Sequence, residues 1–116
     1  MKKLLLILIC LFFSSQSYGW DLIYKNQNGE HYIDKVKRSG DIGYYWGLTN
    51  LPDGTSSVVR FEVYCTSEKM RDLKFFQYSD HFGKGTRLHE FGGSPNYRFP
   101  EPGTIFELYY KRVCKN

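Results

Sequence analysis

Arg60 and Glu62 occupy alternate positions in one run of the chain, and Arg87 and His89 do so in another. If both runs are strands, each pair shares a face, because side chains alternate across a strand with a period of two. Should the two faces coincide, a carboxylate, an imidazole and two guanidinium groups would meet on an open sheet. Small secreted ribonucleases use that set: Glu and His move protons while Arg neutralises the phosphate in the transition state. The same alternation is expected of the solvated outer face of a two-layer domain, and no ribonuclease motif surrounds these residues. The sequence therefore names no catalytic residue.

Other chemistry-bearing residues lead no further. His31 and His81 read as turn or surface residues, with no carboxylate pattern around them to hold zinc or calcium. Gly83-Lys84-Gly85 lacks the length and the following helix start of a phosphate loop, so it reads as a turn. Gly92-Gly93-Ser94-Pro95 reads as a flexible connection. No metal or cofactor is expected.

Three features set the compartment. Lys2 and Lys3, the apolar run from Leu4 to Phe13, and the small residues Ser17 and Gly19 form a signal peptide over residues 1–19, with cleavage before Trp20. The apolar run covers about half of the ~20 residues needed to cross a bilayer as a helix. Cys10 lies within that run, behind the bulky Leu8 and Ile9, so it makes a poor lipidation site and leaves with the leader. Cys65 and Cys114 remain. Two lone cysteines without CxxC spacing make a poor zinc site, whereas in an oxidising compartment they make a disulfide. Closing 49 positions of chain would contribute roughly 4 kcal/mol on the chain-entropy model. Residues 20–116 are then one domain, and its net charge near +2, with both signs interspersed, argues against nucleic-acid and membrane-surface partners.

Short alternating runs separated by turn residues predict antiparallel strands. Ser57–Thr66 is the clearest, with Val59, Phe61, Val63 and Cys65 on a core face and Val58, Arg60, Glu62 and Tyr64 on the other. Trp20–Lys25, a turn at Asn26-Gln27-Asn28-Gly29, Glu30–Val36, Asp41–Leu48, Met70–Ser79 and Thr86–Phe91 complete six strands. Asn50–Ser56, with Pro52-Asp53-Gly54, reads as an exposed loop. After Pro100, Pro102 and Gly103, the pair Thr104 and Glu107 has capping-box spacing. Phe106, Tyr109, Tyr110, Val113 and Cys114 then recur at helical spacing, with Lys111, Arg112 and Lys115 where cations favour a helix end. A seventh strand fits Phe106, Leu108, Tyr110 and Cys114 as well; the cap and the terminal cations favour a helix. The fold class is α+β, an antiparallel sheet with one C-terminal helix tied to it by the disulfide.

Ten Tyr, nine Phe and two Trp are more rings than a small core can bury, and only Phe12, Phe13 and Tyr18 belong to the leader. Exposed Tyr and Arg are enriched in protein-binding faces. Tyr44, Tyr64, Tyr97 and Arg98 are the candidates for such a face, the alternative being a sheet rim of partly covered rings.

Trp20, Tyr32-Ile33-Asp34, Tyr45-Trp46, Cys65 on a strand, Tyr78-Ser79, Gly83-Lys84-Gly85 and Pro102-Gly103-Thr104 ahead of Cys114 follow one another in an order that resembles the surface-adhesin E family of small exported Gram-negative bacterial proteins. The resemblance covers essentially the whole mature chain. It implies a curved sheet of about six antiparallel strands with the helix held on its concave side. It also implies a non-enzymatic role: binding of protein partners, host extracellular-matrix proteins in some members, with self-association as a homodimer. No adhesive residue is carried over, and Tyr97 and Phe99 stand where the family often has tryptophan. The expected location is periplasmic, released or at the cell surface. A lysozyme-inhibitor-like role is the alternative, with Asn50–Ser56 and His81–Gly85 as the inhibitory loops.

Overall fold

The computed structural model describes residues 19–115, so the leader, apart from Gly19, and Cys10 lie outside the described residues. Six strands form one sheet in sequence order: β1 (Asp21–Asn26), β2 (Gly29–Ser39), β3 (Ile42–Asn50), β4 (Ser56–Tyr64), β5 (Lys69–Tyr78) and β6 (Arg87–Gly92). Every neighbouring pair is antiparallel. One helix, α1 (Ile105–Cys114), follows. The sheet is an open meander, and it matches the expected class.

Short turns set this order. Asn26 pairs with Gly29, leaving Gln27 and Asn28 to turn the first hairpin. Gly29 adopts φ 148°, and a Cβ there would meet the Asn50 carbonyl at 2.7 Å, so only glycine fits. β2 runs past its expected end to Ser39, because a bulge between Asp34 and Lys37 lets pairing resume beyond it, and β3 runs on to Asn50, which pairs with Glu30.

The inner face carries the core. Ile33, Tyr45, Phe61, Val63 and Met70 from the sheet pack against Tyr109, Tyr110 and Val113 of α1. Tyr45, Phe61 and Tyr109 form a three-ring cluster, with Tyr45 stacked 4.9 Å from each of the other two and those two 6.1 Å apart. The helix sits close because β3 offers Gly43 and Gly47 beneath it; a Cβ at Gly43 would overlap Val113. Two phenols tie helix to sheet, Tyr109 donating to the Tyr32 carbonyl (3.0 Å) and Tyr110 to that of Cys65 (2.6 Å). Cys65 and Cys114 form the expected disulfide at the helix end.

The helix start departs from the expected capping box. The Thr104 hydroxyl donates to the Glu101 carbonyl (2.6 Å) instead of capping, while Glu107 reaches back to accept from the Gly103 N–H at 3.5 Å. The 3₁₀ turn at His81–Gly83 folds over the outer face. There Phe82 meets Tyr32 (5.1 Å), and Leu48 and Val58 are buried although they point away from the helix. Asn50 accepts the Phe82 N–H and Ser56 accepts that of Gly83, which holds Phe82 at φ 60°.

Candidate binding face

Strand register decides which of the proposed residues meet. Tyr44, Trp46, Arg60, Glu62 and Tyr64 share the outer face of β3 and β4, with Tyr44 opposite Glu62 and Trp46 opposite Arg60. Lys69, Arg71, Lys74, Phe76 and Tyr78 continue that face on β5. The pairings of Phe76 with Glu90 and Tyr78 with Arg87 add β6.

The acid–base constellation does not assemble. A bulge at the β5–β6 pairing, between Gln77 and Tyr78, separates Arg87 from His89. Arg87 lies over Phe76 (4.4 Å) on the outer face beside Glu90. His89 pairs opposite Gln77 and stacks on Phe91 (5.9 Å) on the other side. Glu62 is buried, and Arg71 donates to it at 3.0 Å. Carboxylate and imidazole are thus on opposite faces of a sheet, where they cannot act on one phosphate.

Of the four candidate binding residues, three share the outer face. Tyr64 and Tyr97 meet edge to face at 5.7 Å. Lys69 lies over both rings (5.3 and 4.3 Å), and Arg71 over Tyr97 (5.0 Å). Hydrogen bonding with Tyr97 pushes the Tyr64 phenol up to about 12, so it stays neutral and able to donate. Tyr44 lies farther along, its hydroxyl 3.5 Å from Glu62 and its ring under Arg60. Arg98 is elsewhere. Its backbone bridges Met70, a core residue, which puts its side chain on the helix side, over Phe106 (4.4 Å) and paired with Asp72 (3.2 Å).

Sequence reasoning missed the lower half of the outer face, where Trp46, Phe76 and Tyr78 lie under Arg60, Lys74 and Arg87. The signal was present in the alternation of Lys74, Phe76 and Tyr78, but the partner strand is set by register. His31 is a strand residue, half-buried beneath the helix side and joined to Thr49 (3.0 Å); burial lowers its pKa. His81 bonds the Leu51 carbonyl (2.8 Å), which brings the loops after Asn50 and His81 together at one end of the sheet. Among the described residues, no group of three or more His, Cys, Asp or Glu side chains could hold a metal. No described helix is long and apolar enough to cross a membrane.

Two solved structures share this architecture. Crystal form II of Haemophilus influenzae protein E superposes with a TM-score of 0.70 at 18% identity, over 84% of this chain and 88% of that one. A second structure of Haemophilus influenzae protein E gives 0.67 at 18%, over 84% and 85%. No curated protein sequence matches. The surface-adhesin protein E family model matches residues 20–115, nearly the whole described chain. With six antiparallel strands, a disulfide-tethered helix and that match, the chain belongs to the surface-adhesin protein E family.

Proposed function

We propose that this protein is an exported, non-enzymatic adhesin that binds host extracellular-matrix protein through the outer-face end bearing Tyr44, Tyr64 and Tyr97. The observation that carries this reading is the Tyr64–Tyr97 pair: two rings held edge to face by Lys69 and Arg71, with Tyr97 39% exposed. Tyrosine offers large contact area at little cost in side-chain freedom, and ordering by neighbouring cations lowers that cost further. Membership of an adhesin family supports the same reading. Arg98 drops out of the proposed face because it is committed to Asp72 and Phe106.

The test is saturable capture of the oxidised protein, purified from an exporting host, on immobilised matrix proteins. Tyr64→Ser and Tyr97→Ser should each weaken capture about tenfold while leaving the thermal melt within ~1 kcal/mol of the parent. Undiminished capture by both variants would remove this face from the reading. Capture of lysozyme alone, or of a bacterial envelope protein alone, would replace adhesion with an inhibitory or periplasmic role. In the lysozyme case the paired loops after Asn50 and His81 would become the surface to vary.

A further inference from the structure

Among the described residues the outer face of β4, β5 and β6 is more basic than the chain as a whole. Arg60, Lys69, Arg71, Lys74 and Arg87 stand there against the carboxylates Glu62 and Glu90. Glu62 is buried and taken up by Arg71. Glu90 is shared between Lys74 (3.0 Å) and Arg87 (3.9 Å). Arg60 has no carboxylate ion pair among the described residues, and it lies over two rings, Tyr44 (5.5 Å) and Trp46 (5.4 Å). Lys74 is its direct cross-strand neighbour. Arg87 caps Phe76, which itself stacks on Trp46 at 6.3 Å. Three cations on three successive strands therefore form one diagonal stripe on an aromatic bed. Arg60 and Lys74 face each other across β4 and β5, whereas Arg87 pairs opposite Tyr78, four residues along β5, and reaches back to share Phe76 and Glu90 with Lys74, so a linear polyanion meets the three cations on an oblique path.

We propose that this stripe binds a sulfated polysaccharide. The rings hold the guanidinium planes in place, so their N–H edges are ordered before a ligand arrives, and that lowers the cost of binding. The occupant follows from charge and from what the rings have already given up. Single-stranded nucleic acid binds open sheets by stacking bases on bare aromatic faces. Here the faces of Trp46, Phe76 and Tyr78 already carry Arg60, Lys74 and Arg87. An acidic peptide would bring apolar anchors that need pockets, and the hollow lined by Phe61, Phe75 and Phe106 lies on the opposite face. A densely sulfated sugar chain needs neither bare rings nor pockets; it needs ordered cations at short repeat. The stripe meets the proposed protein-binding end only at Tyr44, which lies under Arg60, and it does not depend on the protein-binding reading.

The test is titration of the oxidised protein with a size-defined heparin oligosaccharide across a salt series. Arms with the desulfated oligosaccharide, oligo-dT and a poly-glutamate peptide accompany it. Arg60→Gln and Arg87→Gln should each weaken heparin binding roughly tenfold and lower the salt slope by about one. Glu90→Gln should strengthen it several-fold, because it removes a negative charge and frees Lys74 and Arg87 together. Lys111→Gln on the helix should leave it unchanged, and desulfation should abolish it. Arg87 and Glu90 are exposed, so their variants decide the matter even if Arg60→Gln fails to fold. Heparin binding insensitive to Arg87→Gln and Glu90→Gln, or weakened equally by Lys111→Gln, overturns the proposal. So does tighter binding of oligo-dT or poly-glutamate than of heparin at equal salt.

Discussion

Tyr45 and Tyr109 stack in the core, yet their hydroxyls fare differently. Tyr109 donates to the Tyr32 carbonyl, whereas the buried Tyr45 hydroxyl has no hydrogen-bond partner among the described residues. A buried unsatisfied hydroxyl costs about 1–3 kcal/mol, while removing one that is satisfied sacrifices about 1 kcal/mol. Tyr45→Phe should therefore raise stability by about 1 kcal/mol at neutral pH, and Tyr109→Phe should lower it by a similar amount. Burial pushes both phenols above the ordinary tyrosine value. A raised folded-state pKa stabilises fully below the unfolded value, near 10, and that stabilisation drains away as pH climbs past it. Thermal melts should be insensitive to these groups up to about pH 9 and fall steeply above 10. The fall should be shallower in Tyr45→Phe. A Tyr45→Phe variant that melts lower than the parent at pH 7 would show that the hydroxyl has found a partner, and one that falls just as steeply would show that its ionisation plays no part in the alkaline loss.

At the scale of elements, the helix is held by a bridge at its end and a glycine beneath it. The Cys65–Cys114 disulfide closes 49 positions, and its loss should cost roughly 4 kcal/mol on the chain-entropy model. Because Tyr109, Tyr110 and Val113 still face the sheet, the reduced protein should keep its strands while amide exchange in α1 accelerates more than in β3 and β4. Equal acceleration everywhere would mean that helix and sheet open as one unit. Gly43→Ala should cost about 1–3 kcal/mol, because Val113 fills the space of the new methyl; a denaturant midpoint equal to the parent's would show that the helix slides to make room. These elements were legible because their patterns are local. Period two gave all six strands to within three residues at each end, and the Phe106, Tyr109, Tyr110, Val113 set gave the helix. The site was only partly legible, because bulges are not written in alternation. One at β5–β6 sent His89 away from Arg87, and pairing with Met70 sent Arg98 to the helix side. The burial of Leu48 and Val58 on the outer face also escaped the pattern, since it depends on a distant turn that swings Phe82 onto Tyr32.

At the scale of the whole molecule, an open meander leaves two edges, and they are unequal. Both edge strands carry a bulge and exposed apolar side chains, Leu22 and Tyr24 on β1, but Asp21 of β1 is engaged by Arg112 of the helix. β6 is exposed along its whole length and presents Leu88 (45% exposed) and Phe91 (55%). An unpaired edge with apolar side chains is a template for another strand, and a two-fold antiparallel pairing of β6 with its copy is the simplest closed arrangement. We expect the oxidised protein to self-associate through β6. Sedimentation across a concentration series should show a monomer–dimer equilibrium that Phe91→Lys shifts at least tenfold toward monomer. A strictly monomeric parent, or a dimer indifferent to Phe91→Lys, would refute pairing at this edge. The consequence reaches back to the outer face. Two β6 strands side by side would place two copies of Arg60, Lys74 and Arg87 on one continuous twelve-stranded sheet. A chain long enough to cross both stripes would then bind with the gain of an intramolecular second contact, roughly a hundredfold or more. Phe91→Lys should therefore weaken binding of long heparin chains while sparing short ones, a length dependence that a loss of local charge contacts cannot produce.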